Sequence, residues 1–228
     1  MNSSEFSVGV SGLTVLPYER RSRLYGVLKR ATDILLGLLI LIFTGPLLLI
    51  AAGLVTLVTS GSPFIRVPRI GLGGRTILIY KIRTMREGAD RLLDEYLKTN
   101  SAAAKEWLTR YKLKNDPRII PYIGNFLRKS SIDELPQLID VLAGRMSLVG
   151  PRPFPSYHLN AFDPSFCEAR SSVMPGLTGL WQIECRNEGD LHDQIYWDSK
   201  YIEQRSYLLD LSIIIKTPVR VLSGRSAH

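Results

Sequence analysis

The longest apolar stretch in the chain runs from residue 34 to residue 65, where no charged side chain occurs. Its centre, 34–58, is dominated by Leu, Ile, Val and Ala. That exceeds the roughly 20 residues needed to cross the hydrocarbon core of a bilayer. It starts too late and runs too long for the apolar region of a secretory signal. Gly45 and Pro46 fall in its middle. A proline there removes one helical hydrogen bond and its ring crowds the preceding turn, so a kink is expected. Both flanks are basic: Arg20, Arg21, Arg23, Lys29 and Arg30 before it, and Arg66, Arg69, Arg75, Lys81, Arg83 and Arg86 after it. Positive residues favour the cytoplasmic side, and a segment basic at both ends satisfies that rule best if both ends stay inside. On the residues, two readings stay open: a re-entrant helix–break–helix, and an ordinary spanning helix that tolerates its proline.

Beyond this segment the pattern shortens. Residues 63–74 predict an extended stretch and a turn, and 76–82 a short strand rich in β-branched and aromatic residues. Over 87–113, Leu92, Leu93, Tyr96, Leu97, Trp107, Leu108 and Tyr111 recur at helical spacing, which predicts one helix ended by Asn115-Asp116-Pro117. A second helix is predicted over 131–142, with Leu135, Leu138, Ile139 and Leu142 on one face and Gly144 as its stop. The prolines of 149–155 exclude regular helix or central strand, and 174–179 (MPGLTG) reads as a turn-rich loop. Helices are predicted over 191–204 and 206–222. The last has a wide apolar face and basic ends, which suits either a membrane surface or a buried core. Residues 1–13 are Ser- and Gly-rich and a proline and basic cluster follow, so the N-terminal tail is expected to be loose. No internal repeat and no second domain boundary appear.

Composition narrows the partners. The 228 residues are 45% apolar and carry a net charge of +8. That charge favours an anionic partner: nucleic acid, a phospholipid surface or a phosphorylated substrate. No basic run interleaves with aromatics, so nucleic acid is the weakest of the three. Cys167 and Cys185 form no metal or redox spacing and predict two reduced thiols. His158, His192 and His228 form no metal spacing either.

The candidate chemistry centres on Asp133 and Glu134, adjacent carboxylates after Arg128 and Lys129 and before a predicted helix. Acids in a first helical turn are favoured by the macrodipole whatever their function, and Ser131 with Glu134 fits a capping box. Pro136 fits a helix start nearer Asp133 better, because from Ser131 it would fall past the free first-turn positions. The structural and catalytic readings of the pair both remain open on these residues. Arg69, Lys81, Arg83, Arg118, Arg152 and Arg186 sit in or beside loops bounded by Gly or Pro, the kind of pre-oriented cations that bind phosphate through paired N–H donors.

Taken together these segments resemble a known family. Lys29-Arg-Ala-Thr-Asp33, the Pro-broken apolar segment, Arg69-Ile-Gly71, Tyr80-Lys-Ile-Arg-Thr-Met85, Asp116-Pro-Arg118, Leu127-Arg128, residues 132–138 (IDELPQL), 146–153 (MSLVGPRP), 175–182 (PGLTGLWQ) and Arg186-Asn187 resemble the bacterial sugar transferases, the monotopic phosphoglycosyl transferases of the short exopolysaccharide-initiating type. The resemblance implies a mainly α fold with short β segments. Residues 1–28 would be a flexible N-terminal tail, 29–60 a re-entrant membrane hairpin broken at Gly45 and Pro46, and 61–228 a compact cytoplasmic α/β catalytic domain with interfacial amphipathic helices. It places the protein at the bacterial inner membrane, on the cytoplasmic face. It implies transfer of a hexose-1-phosphate from UDP-galactose or UDP-glucose to polyprenyl (undecaprenyl) phosphate, with UMP released and Asp133 as covalent nucleophile. Glu134 would assist, by ligating Mg2+ (with Asp133 as a further metal ligand) or by handling a proton. Lys81, Arg128 and Arg152 match family residues near the substrate phosphates and Arg186 one near the nucleotide, with Arg83, Arg118 and Asn187 as further substrate-binding candidates. Membrane lipids are implied partners and nucleic acid is not; a homo-oligomer is left open. Two departures stand out. The hairpin break is Gly-Pro where the family often has Ser-Pro, and Cys185 stands where it often has a glycine before Arg-Asn, which bears on local backbone conformation and nucleotide specificity. The competing reading is an inactive membrane-anchored assembly or regulatory subunit, and the intact Asp133-Glu134 pair speaks against it.

Overall fold

The computed structural model describes residues 22–111, 113–185 and 191–222. Among these the chain is mainly helical with two small two-stranded sheets. The order is α1 (Arg23–Val58), β1 (Phe64–Ile70), β2 (Thr76–Ile82), α2 (Ala89–Thr99), α3 (Ser101–Arg110), α4 (Ile123–Lys129), a 3-10 segment (Ile132–Gln137), α5 (Leu138–Leu142), β3 (Ser147–Val149), α6 (Ser156–Leu159), α7 (Pro164–Ser171), β4 (Gly176–Thr178), α8 (Leu180–Glu184), α9 (Leu191–Gln204) and α10 (Tyr207–Leu222).

Helix α1 is 36 residues long, about 54 Å at 1.5 Å per residue. It begins at Arg23, ahead of the expected hairpin start at 29, and Ser22 caps it by accepting from the Tyr25 amide. The expected helix–break–helix is not seen as a change of secondary structure: α1 is unbroken, with Gly45 and Pro46 inside it. The φ that proline imposes is compatible with helix, so the cost is one missing hydrogen bond rather than a termination. One stripe, Asp33, Gly37, Leu48, Ala51, Ala52 and Val55, is buried against the rest of the chain. The opposite face is apolar and exposed, Leu35, Phe43, Leu49 and Leu57 most strongly. Thr44 and Thr56 turn their hydroxyls back onto the carbonyls of Ile40 and Ala52. The only charges in the helix, Arg23, Lys29, Arg30 and Asp33, lie near its start, so nothing on the remaining face resists hydrocarbon.

Four apolar clusters are buried among the described residues, and two of them hold α1 and the site elements together. The larger gathers Ile79, Leu138, Val141, Met146, Leu148, Val149, Leu180, Ile183, Tyr201 and Ile213. The second joins Leu48, Ala51 and Val55 of α1 to Ile82, Leu127 and Ile132, with Leu41 packed against both. Each fully buried Val or Leu contributes about 1.5–3 kcal/mol, so this second cluster fixes α1 firmly to the elements that carry the site.

Strand β2 falls where the pattern placed it and pairs antiparallel with β1, Lys81 opposite Ile65. The single helix expected over 87–113 is two. Asn100 ends α2 and caps α3, its side chain accepting from the Ala103 amide at 3.0 Å; an asparagine gains more as a cap than inside a helix. The loop expected at 174–179 contains β4, paired parallel with β3 in the register Ser147 to Gly176 and Val149 to Thr178. The close approach requires glycine: a Cβ on Gly150 would lie 2.2 Å from the Met174 carbonyl, and one on Gly176 2.0 Å from the Gly150 nitrogen. The helix expected over 131–142 is a 3-10 segment followed by the short α5. Ser131 stands at the N-cap of the 3-10 segment without capping it through its side chain. It holds φ +58 with no side-chain capping bond, so the capping box is absent. The strain of a left-handed serine sits two residues before Asp133. Helix α9 spans the predicted 191–204. Helix α10 buries Asp210 and Ile213 and exposes Leu208, Ile215 and Val219.

Candidate active site

Asp133 and Glu134 project from the 3-10 segment into a cluster of cations. Lys81, on β2, shares a face with Ile77 and Ile79 by strand alternation and reaches the segment with its ammonium 3.0 Å from Asp133 Oδ2 and 3.3 Å from Glu134 Oε1. Arg152 grips both oxygens of Glu134: Nη1 donates to Oε2 at 3.1 Å, and Nη2 to Oε1. Arg128, in the last turn of α4, donates from Nε to Thr84 Oγ1 at 3.0 Å. Helix α4 can lie on Thr84 because residue 124 is glycine; a Cβ there would stand 2.6 Å from the Thr84 carbonyl.

The two carboxyls are driven apart in acidity. Burial raises the Asp133 pKa, the neighbouring Glu134 charge adds to the rise, and Lys81 and Arg128 do not reverse it. Burial also acts on Glu134, but Arg152 and Lys81 outweigh it and hold the group well below the usual carboxylate range. Glu134 is therefore a fixed anion with both oxygens engaged, while Asp133 keeps the more basic lone pairs. Arg128 is buried, which lowers its pKa against the opposing charges of Asp133 and Asp116. Arg69 lies within electrostatic reach of Arg152 and Glu134. Lys81, Arg128 and Arg152 against two carboxylates leave one positive charge in excess, which suits an incoming phosphate.

Of the residues singled out in the sequence, Asp133, Glu134, Lys81 and Arg152 meet directly and Arg128 adjoins them. Arg118 is next to Arg128 but is committed elsewhere. It binds Asp116 with Nε at 2.8 Å and Nη2 at 2.7 Å and lies over the Trp107 ring. It braces the site rather than offering a free guanidinium. Arg83 pairs with Glu87 at 2.9 Å beyond the end of β2, and not with either carboxylate. Arg186 and Asn187 lie outside the described residues. Gly45 and Pro46 lie within α1; a Cβ on Gly45 would meet nothing within 4 Å. Sequence reading missed Thr84 and the partner role of Asp116. Opposite charges two apart across a proline were a signal for the second; nothing local marked the first.

Helix α1 supports the site from below. Lys29 donates to the Val149 carbonyl at 2.8 Å and pairs with Asp210 at 2.9 Å. Asp33 accepts from the Leu148 amide at 2.8 Å and from Ser147 Oγ at 3.0 Å. Arg30 donates to the last carbonyls of α5, Val141 at 2.7 Å and Leu142 at 2.6 Å. Strand β3, held this way, leads straight into Gly150, Pro151 and Arg152. The other half of α1 packs on Ile82, Leu127 and Ile132, each next in sequence to Lys81, Arg128 or Asp133.

Three cations thus surround a buried carboxylate that Lys81 contacts and a second that Arg152 holds on both oxygens. Proteins of similar sequence are known. The family described as bacterial sugar transferase matches residues 24–224. The exopolysaccharide production protein ExoY of Sinorhizobium fredii is 43% identical over 203 residues, covering 89% of each chain. The undecaprenyl-phosphate galactose phosphotransferase of Salmonella typhimurium is 40% identical over 88% of this chain, which spans 42% of that longer protein. The UDP-glucose:undecaprenyl-phosphate glucose-1-phosphate transferase of Escherichia coli is 34% identical over 89% of this chain and 42% of its own length. The chain belongs to the bacterial sugar transferase family and is a phosphoglycosyl transferase.

Proposed function

We propose that the enzyme moves a hexose-1-phosphate from UDP-galactose or UDP-glucose to a polyprenyl phosphate such as undecaprenyl phosphate, opening exopolysaccharide assembly. The observation that carries the reading is the asymmetry of the pair: Glu134 bound on both oxygens by Arg152, Asp133 buried with one ammonium beside it. In the first half-reaction an Asp133 oxygen attacks the β-phosphorus of the UDP-sugar. The bond from that phosphorus to the bridging oxygen breaks, and UMP leaves with that oxygen. In the second, a phosphate oxygen of the lipid attacks the same phosphorus and the Asp133 carboxylate is restored, leaving the sugar on a polyprenyl diphosphate. A carboxylate nucleophile divides one difficult transfer into two easier ones. Lys81, Arg128 and Arg152 offset the charge that gathers on the phosphoryl oxygens. The relatives' names carry the substrates: galactose and glucose phosphates and undecaprenyl phosphate.

Magnesium fits the donor set in one mode. Among the described residues no cluster of three or more His, Cys, Asp or Glu exists, so no all-protein cage is available. Mg2+ at phosphoryl-transfer sites takes one or two carboxylates and completes its shell with substrate phosphate and water. Glu134, or Glu134 with Asp133, would hold it there, and when bound it would neutralise pyrophosphate charge.

The same reading sets α1 in one leaflet, entering and leaving on the cytoplasmic face of the inner membrane. Both ends of the helix touch one domain. Tyr25 bonds Asp210 at 3.0 Å, and Val55 packs with Ile82 and Leu127. A straight crossing of a hydrocarbon core about 30 Å thick would carry one end away from that domain. The exposed apolar side chains of α10 extend the same lipid-facing surface. The test is UMP release from a panel of UDP-sugars with polyprenyl phosphate and magnesium. The expected result is turnover with one of the two hexoses and its loss in Asp133→Asn. Lipid binding without UMP release would instead mark an inactive assembly subunit.

A further inference from the structure

The loop 150–155 delivers Arg152 to Glu134, yet its prolines leave it few backbone donors of its own. It is held through its carbonyls. Gly176 N donates to the Pro151 carbonyl at 2.9 Å and Ile70 N to the Phe154 carbonyl at 2.8 Å. The carbonyl of Arg152 itself is held by a side chain: Arg170 Nη2 donates to it. Arg170 is 7% exposed, on α7. Its Nε pairs at 2.9 Å with Asp198 of α9, itself 1% exposed. The guanidinium also lies 4.2 Å above the Phe154 ring. One planar group thus spans a carboxylate, the main chain of Arg152 and the ring two residues further on.

We propose that Arg170 and Asp198 form a positioning pair that sets Arg152 on Glu134. This rests on the function proposed above. A buried ion pair is a poor way to join two helices, since well-packed apolar residues do it as well or better. Its polarity needs a recipient, and the recipient here is the backbone of a residue in the site. Arginine suits the task because its donors form a rigid fork, so that fixing Nε on Asp198 also fixes the direction of Nη2. Lysine keeps the charge as a point and cannot hold both partners in one plane. Neither Arg170 nor Asp198 touches the carboxylates, so both act through Arg152.

The experiment uses the full chain in detergent or vesicles, with Arg170→Lys, Asp198→Asn and Arg152→Ala, and reads kcat and KM for UMP release separately, alongside a melting curve. For Arg170→Lys the expected result is a melting transition that persists and a rate lower by about 10²-fold, the usual consequence of a catalytic group displaced by about 1 Å. The loss should fall on kcat rather than on KM for the UDP-sugar, because the pair places Arg152 for the charge that develops on the phosphoryl oxygens. Added to Arg152→Ala, the Lys substitution should change the rate by less than about twofold, since a pair acting through Arg152 has nothing left to position. Independent, multiplicative losses, or a change in KM with kcat unaltered, would show that the pair does not act through Arg152 and overturn the proposal. Asp198→Asn is read the same way if Arg170→Lys fails to fold; failure of both to fold would make the pair core structure and also overturn it. If the wild type releases no UMP from any UDP-sugar, the functional reading fails instead.

Discussion

Replacing Lys81 with Met tests the electrostatics of the site most sharply, because it keeps the length of the side chain and removes its charge. The ammonium stands 3.0 Å from Asp133 and 3.3 Å from Glu134 and is largely shielded from water. At an effective dielectric constant near 20, each pairing amounts to about 5 kcal/mol of gross attraction. Desolvation offsets much of that, and removing one partner of a buried pair costs about 3–5 kcal/mol in practice. At 1.36 kcal/mol per pKa unit this equals about 2–4 units shared between the two carboxyls. Glu134 keeps Arg152 on both oxygens, so the proton goes to Asp133, whose pKa burial already raises. The variant is therefore expected to lose about 10²-fold of its kcat/KM for UMP release at neutral pH, equivalent to about two such units on the nucleophile. Raising the pH should restore part of the loss, and the acid limb of the profile should move up. Rapid-quench measurement of UMP across pH reads both. A pH profile superimposable on the wild type would refute the assignment of Lys81 as the charge that keeps Asp133 ionised.

Four other outcomes follow from the geometry. Because the pKa of Asp133 is raised on folding, its charged form costs stability at pH values above that pKa and the cost vanishes as pH falls through it. Asp133→Asn should accordingly melt no lower than the wild type at neutral pH while its turnover collapses. Glu134 carries the opposite sign: its lowered pKa contributes stability above the ordinary Glu range that is lost as pH falls, so Glu134→Gln should lower the neutral melting temperature and flatten the acid side of a melting-versus-pH series. Gly150→Ala would set a Cβ 2.2 Å from the Met174 carbonyl, and the β3–β4 contact should open, seen as a lowered melting temperature with loss of activity. In a variant whose native cysteines are replaced, single cysteines at Ser22 and Ser62, at the two ends of α1, should react with an impermeant thiol reagent only from the cytoplasmic side in oriented vesicles. Labelling from opposite sides would show a spanning helix.

The parts of the fold with a clear period were legible in the sequence. Strand β2, helices α9 and α10 and the apolar segment stand where hydrophobic spacing put them. Three features depended on tertiary context. Pro46 reads as a break, yet packing along one face of the domain carries the helix through it. Asn100 reads as one polar position on a helix surface, yet capping gains more than continuity. Gly176-Leu177-Thr178 reads as a turn, yet it finds β3 from distant sequence through a backbone approach that three glycines permit. In the site, the carboxylates, Lys81 and Arg152 were legible as charges in loops, but their pairing was not, because they come from segments separated by tens of residues. Arg118 illustrates the limit: the Asp-Pro-Arg spacing signals its bond to Asp116, but not that the pair lies beside Arg128.

The claim on which all else depends is that Asp133 carries the phosphosugar between the two substrates. Incubating the enzyme with its UDP-sugar in the absence of polyprenyl phosphate, quenching, and sequencing its peptides by mass spectrometry tests it directly. The expected result is a hexose-phosphate adduct on Asp133 that disappears when the lipid phosphate is added and is missing from Asp133→Asn. An unmodified Asp133 under conditions where the complete mixture forms product, or an adduct on another residue, would contradict it.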